Sequence, residues 1–261
     1  MQRNSRRLIN MSNKQKGRIV ILSGPSCAGK SPLDKALARF FPDLKKNLTN
    51  IVLYNSRSPR PGEIEGKDYY FRKRNQVEAL RKKEHFVVMD VRGDLQGLDL
   101  EELNEILQKS NAFFEGNPFV GKTLLTHPAL EKIPKTSMFM SPLSREEILY
   151  LKKPERNLDL EKFLTDVMRR KLLRRTKKQK TNLSLKDLEN IEKRAGSAYR
   201  ELKNAQLFDC VIPNHDGEDS ENWDAFYYPV GDARKALFAV VGILRGETPD
   251  VVEKWEEDLL P

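Results

Sequence analysis

Arg18-Ile-Val-Ile-Leu-Ser-Gly-Pro-Ser-Cys-Ala-Gly-Lys-Ser31 is the stretch that decides the fold. Its second part, GPSCAGKS over Gly24–Ser31, has the spacing of a phosphate-binding loop: Gly, four residues, Gly, Lys, Ser. Such a loop works only in context. A buried strand must lead in and a helix must lead out, so that backbone N–H groups and the helix N-terminus converge on one anion. The apolar, β-branched run Ile19–Leu22 reads as the strand. Beyond Ser31, Leu33, Ala36, Leu37 and Phe40 recur at helical spacing. Pro32 falls in the first helical turn, where a missing N–H costs little. Gly24, Pro25, Ser26, Cys27, Ala28 and Gly29 then form the cradle. Lys30 is placed to reach the β- and γ-phosphates of ATP, and the Ser31 hydroxyl to bind Mg²⁺.

A second segment, GNPFVGKT over Gly116–Thr123, fits the same pattern. Asn111–Glu115 could lead in as a strand, but Pro118 removes one N–H from the cradle and Pro128 interrupts the segment beyond Thr123. Without the strand–loop–helix context the match is coincidental.

The 261 residues allow one large domain or two small ones, and an apolar fraction of 38% is enough for a core. The longest apolar run, around Phe238–Leu244, is far too short for a membrane span. With only Cys27 and Cys210 there is no disulfide framework and no cysteine metal cluster, so a reducing cytoplasm is expected. The net charge of +9 is uneven. Residues 1–16 read as a basic, solvated, disordered tail, with an Arg-rich organelle-targeting leader as the alternative. Residues 247–261 read as an acidic C-terminal tail.

After the apolar run Ile51–Tyr54 comes an irregular, Pro-rich stretch through Phe71. Arg57 and Arg60 on one loop suit a second phosphate, which guanidinium groups grip bidentately, and Tyr69 offers a hydroxyl to the same group. This stretch resembles the guanylate kinase signature, matched at Arg57, Arg60, Glu63, Gly66, Asp68, Tyr69 and Phe71. Gly24-Pro25-Ser26 with Gly29-Lys30-Ser31 is also that family's form of the phosphate loop.

The resemblance extends downstream. Leu158–Arg175 reads as an amphipathic helix through Leu160, Phe163, Leu164, Val167, Met168 and Leu172, running into a basic segment. A second helix opens at Ser184-Leu-Lys-Asp187 with a capping-box-like start. In the family the lid lies here, about residues 169–194, and supplies arginines to the transferring phosphoryl group. Arg174 or Arg175 matches the first of these and Arg194 the second. Asn214, ending an apolar strand from Phe208, matches an Asn near the adenine, and Gly231–Gly246 the closing helix. The basic run could also be a solvated face or a nucleic-acid patch; it lacks interleaved aromatics, and no nucleic-acid or membrane partner is expected.

The resemblance implies an α/β fold of P-loop NTPase type over residues 17–246: a parallel sheet flanked by helices, a small acceptor-binding insertion at about 51–110, and a lid. It implies phosphoryl transfer from MgATP to GMP or dGMP. Lys30, Ser31 and Asn214 then serve the nucleotide donor, and Arg57, Arg60, Glu63, Tyr69, Asp90 and Glu115 the acceptor, with Glu115 also reaching Mg²⁺ through water. The base-reading positions depart from the family. Leu53 stands where it has Ser, Val87 and Val88 where an acid is expected, Gln96 where it has Tyr, and Glu115 and Asn117 where it has paired acids. Asp90 or Asp94 could supply the missing acid. Asp216–Pro229 departs from the family in length, as does the lid. Two rival readings are a P-loop kinase with another small acceptor and a non-catalytic guanylate-kinase-like interaction module.

Overall fold

The structure is a computed structural model that describes residues 17–60 and 62–260. The basic segment 1–16 lies outside the described residues. Nine strands are described: β1 (Ile19–Ser23), β2 (Leu48–Asn50), β3 (Leu53–Asn55), β4 (Tyr69–Phe71), β5 (Phe86–Val91), β6 (Asp94–Asp99), β7 (Asn111–Gly116), β8 (Lys135–Ser141) and β9 (Cys210–Pro213). Five of them form a parallel sheet in the order β2-β7-β1-β8-β9. The non-sequential order comes from helical crossovers, as parallel pairing requires.

β1 sits at the centre of this sheet and every residue in it is buried. Alternation sends Ile19 and Ile21 to one core and Val20 and Leu22 to the other. Helices Lys30–Phe40 and Gly231–Arg245 cover the Val20/Leu22 side through Leu33, Leu37, Leu237 and Val240. Helices Leu100–Lys109, Pro118–Thr126 and Leu160–Gln179 cover the other through Leu103, Val120, Leu164 and Leu172. Burial on both faces is why β1 reads as an unbroken apolar run.

A second, four-stranded sheet, β4-β3-β6-β5, is formed by the stretch expected to bind the acceptor. β3 and β4 are parallel, whereas β6 runs antiparallel to both β3 and β5. The stretch expected to be the lid, about residues 169–194, falls on two helices, Leu160–Gln179 and Leu185–Ala195, joined by a short turn. Ser184 caps the second reciprocally: its hydroxyl accepts from Asp187 N at 3.2 Å, and Ser184 N donates to the Asp187 carboxylate at 3.0 Å. Gly196 ends that helix, and a separate short helix, Ala198–Leu202, comes next.

The C-terminal segment is not a tail. Trp255, Leu259 and Leu260 are buried in the core, and Glu253 exchanges two backbone hydrogen bonds of 2.8 Å with Val211 of β9. Glu253 is partly buried and accepts from Arg145 N at 2.9 Å, while exposed Glu256 pairs with the Arg145 guanidinium at 2.8 Å.

Candidate active site

β1 delivers the chain to the cradle at Ser23. Gly24 has φ 149°, and a Cβ there would stand 2.4 Å from the Met140 carbonyl oxygen; Gly29 has φ 95° and equally little room beside Asn214 and Trp223. Only glycine fits at these two positions. Lys30, the first residue of its helix, is buried, and its ammonium donates to the carbonyls of Gly24 at 2.9 Å and Pro25 at 2.8 Å. Burial lowers its pKa, while the Glu218 and Glu115 carboxylates oppose that shift.

β7 pairs in parallel with β1, setting Glu115 opposite Leu22 beside the start of the cradle. The Ser31 hydroxyl donates to Glu115 Oε1 at 3.4 Å. Burial raises the Glu115 carboxyl, and Lys30 partly offsets this. A hydroxyl and a carboxylate side by side are hard oxygen donors of the kind Mg²⁺ takes, so these residues fit that ion.

The second phosphate candidate lies across the same cavity. Arg57 is held bidentately by Glu63, at 2.7 and 2.5 Å, and its guanidinium stands over the rings of Tyr69 and Phe71. Glu63 also accepts from the backbone N–H of Arg60 at 2.7 Å. Glu63 therefore shapes the arginine loop; its oxygens are taken up by Arg57 and Arg60. The Arg60 side chain is half exposed and only 4.0 Å from Glu63 at its nearest, which leaves most of its fork for a ligand.

From the lid, Arg175 and Arg194 face the cavity, and Arg194 Nε donates to Ser26 Oγ of the cradle at 3.0 Å. Burial pushes the Arg194 guanidinium down to about 9, with Arg175, Arg60 and Arg92 adding to the effect. Cations gathered at the cost of mutual repulsion mark a place built for an anion. Arg174 instead turns outward, 64% exposed, and pairs with Asp219 at 3.0 Å. Of the two lid candidates, the structure brings Arg175 to the cavity.

The cavity encloses about 820 Å³ and is lined by Gly24, Ser26, Cys27, Lys30, Ser31, Arg57, Arg60, Glu63, Tyr69, Glu115, Arg175 and Arg194 among others. Besides Arg174 and the cradle residues Pro25, Ala28 and Gly29, two candidates are absent from its lining, Asp90 and Asn214. Asp90 does not line it: its exposed side chain accepts from Gly93 N at 2.9 Å, because alternation along β5 buries Met89 and Val91 and turns Asp90 the other way. Asn214 is buried beneath the loop, donating to the carbonyls of Ala28 at 2.8 Å and Asp216 at 2.7 Å. Leu53 is a core residue. Asp94 and Gln96 line the cavity, and Asp94 is the acid on the acceptor side that β6 presents to it.

The coincidental motif folds differently. Asn117 caps a helix that begins at Pro118, so Gly121 and exposed Lys122 lie inside the helix and no cradle forms. Two features escaped the sequence reading. Glu218, from the stretch of unusual length, accepts from Gly29 N at 3.1 Å inside the cradle. Arg92 and Glu201 form a partly buried ion pair of 2.5 Å, joined by Asn117 at 3.0 Å, that links the acceptor sheet to the segment after the lid. Neither carries a local motif.

A glycine cradle between a central parallel strand and a helix, facing a second arginine loop and an arginine-bearing lid, defines a P-loop nucleotide-binding protein of α/β type. A family model described as guanylate kinase matches residues 16–114. The guanylate kinase of Wolinella succinogenes is 30% identical over 211 residues, covering 80% of this chain and 81% of that protein. That of Wolbachia pipientis wMel is 27% identical over 211 residues, covering 80% and 88%. A crystal structure of guanylate kinase from Anaplasma phagocytophilum shares the fold, with a TM-score of 0.53 at 20% identity over 89% of this chain and 87% of that one. The chain belongs to the guanylate kinase family.

Proposed function

We propose that the protein transfers the γ-phosphoryl group of MgATP to GMP or dGMP, giving ADP and the nucleoside diphosphate. The observation that carries this reading is one cavity holding the Lys30 cradle, the Arg57/Arg60 loop and the lid residues Arg175 and Arg194. Two anion sites facing one another across a common space suit in-line transfer between two phosphates.

The chemistry asks little covalent work of the protein; it asks for alignment and charge neutralisation. The cradle N–H groups and Lys30 hold the donor phosphates. Arg60, with Arg57 and Tyr69, holds the acceptor phosphate, and Glu63 keeps Arg57 in place. Arg175 and Arg194 reach in from the lid to the equatorial oxygens of the transferred group. Mg²⁺, when bound with the donor, neutralises phosphate charge, and Ser31 and Glu115 are the residues that hold it. The lid over the cradle excludes water that would otherwise take the phosphoryl group. On the acceptor side Asp94 and Gln96 face the base. Guanine offers N1–H and N2–H₂ donors, which a carboxylate accepts most strongly.

The test is ADP release in a coupled assay with GMP, dGMP, AMP, CMP and UMP. GMP or dGMP should give the highest kcat/KM, with the preference over AMP reduced in Asp94→Ala. ADP release with none of the five, or a clear preference for another monophosphate, would overturn the reading.

A further inference from the structure

The segment from His215 to Val230 closes over the phosphate cradle and places a carboxylate in it. Glu218 accepts from Gly29 N at 3.1 Å, a backbone donor that a phosphate oxygen would use. Burial alone would raise this carboxyl. Lys30 and Arg175, together with N–H groups of the chain, hold it below the usual carboxylate range, so it sits there charged.

The surrounding contacts show that the placement is built. The next residue, Asp219, has a side chain only 6% exposed and ties the lid helix to the strap through Lys171 at 3.2 Å and Arg174 at 3.0 Å. Its other contact is the thiol of Cys27 in the cradle, at 3.7 Å. Gly217 presses so closely on the loop that a Cβ there would stand 2.1 Å from the Cys27 carbonyl oxygen. Asp216 anchors the strap's ends, accepting from Asn222 and from Ala233 N at 3.0 Å. These contacts hold the strap backbone, and beyond its own residue the Glu218 carboxylate is held through the Gly29 N–H alone among the described hydrogen bonds.

We propose that Glu218 is an internal phosphate mimic: its carboxylate occupies the cradle of the free enzyme, ATP binds by displacing it, and it thereby sets the affinity for the donor nucleotide. Two anions cannot share Gly29 N, so binding-competent cradles are those from which Glu218 has swung out. The apparent dissociation constant exceeds the intrinsic one by the inverse of that fraction. This inference rests on the assignment of GPSCAGKS as the donor site.

The experiment is calorimetric titration of the full chain with MgATP, and separately with pyrophosphate, for the native protein and for Glu218→Gln, Glu218→Ala, Glu221→Ala and Lys30→Ala. If Glu218 holds the cradle nine-tenths of the time or more, its removal tightens both ligands about tenfold or more. Glu221, an exposed acid on the same strap paired with Lys178 at 3.6 Å, controls for the general loss of negative charge. Tightening in either Glu218 variant, with Glu221→Ala unchanged, supports the proposal. Unchanged or weaker binding in both Glu218 variants, or equal tightening in Glu221→Ala, overturns it. Lys30→Ala separates the displacement from the site it acts on: if it leaves ATP affinity intact, the donor-site assignment itself has failed.

Discussion

Two lysines in two look-alike motifs should behave in opposite ways. Lys30 opens a helix at the end of the central strand, is 6% exposed, and keeps its ammonium against two loop carbonyls. Lys122 lies in the middle of the helix Pro118–Thr126 with its side chain in solvent. Lys122→Ala exchanges one good helix former for another at an exposed position, so stability should change by no more than about 0.5 kcal/mol and turnover should not change. Lys30→Ala removes a positive charge aimed at the β- and γ-phosphates. A preorganised donor of this kind is worth on the order of 10³ in rate, or about 4 kcal/mol of transition-state stabilisation. It also strips the Gly24 and Pro25 carbonyls of their partner, a stability cost of about 1–3 kcal/mol that a domain of this size should survive folded. The assay is steady-state ADP release with saturating GMP, alongside circular dichroism to confirm folding. Equal losses in the two variants, or a loss confined to Lys122→Ala, would refute the assignment of the cradle.

The lid arginines should separate by position: Arg175→Ala and Arg194→Ala lower kcat by about 10³-fold with a much smaller change in KM, whereas Arg174→Ala, which faces outward, has little effect on kcat. Raised KM with normal kcat in Arg194→Ala would show a residue that only binds substrate. Trp255→Ala deletes a buried indole whose N–H donates to Glu253 at 2.7 Å. It should cost about 3–5 kcal/mol and lower Tm by roughly 6–20 °C, read by calorimetry; an unchanged Tm would return the C-terminal segment to the status of a tail. His215 is opposed by burial, but hydrogen bonds to Asp232 at 2.6 Å and Glu147 at 2.9 Å raise its pKa above the ordinary value. A raised folded pKa contributes stability that is full below the unfolded value, about 6.5, and is lost as pH rises through the folded value. The Tm advantage of the native protein over His215→Gln should therefore shrink as pH rises above about 6.5; a constant or growing gap contradicts it.

What could be read from the chain alone depended on whether the signal was local. The cradle was legible because its strand is apolar on both faces and its glycines are forced by steric contact. The lid's second helix was legible because Ser184 and Asp187 carry their capping chemistry within four residues. The arginine loop showed as a motif, but Glu63 looked like a ligand-binding acid, and only the three-dimensional arrangement shows its oxygens engaged by Arg57 and Arg60. Asp90 was available to a stricter reading, since the alternation of Val87, Met89 and Val91 as buried residues already puts it on the opposite face. The C-terminal segment was misread because its acids dominate the count, while burial is decided by the three apolar anchors Trp255, Leu259 and Leu260. Glu218 and the Arg92–Glu201 pair depend on contacts between residues 189 and 109 positions apart, and no window of sequence contains them.

If a phosphoryl group passes from a donor in the Lys30 cradle to an acceptor held by Arg57 and Arg60, the group itself can be followed. The protein is incubated with γ-labelled ATP, Mg²⁺ and GMP, and the products are separated by chromatography. Transfer through this site predicts that the label appears in GDP in step with ADP formation, that it appears there in neither Lys30→Ala nor Arg60→Ala at comparable rates, and that little reaches free phosphate. Label released only as inorganic phosphate, or label that stays in ATP while the protein is folded and GMP is present, would contradict it.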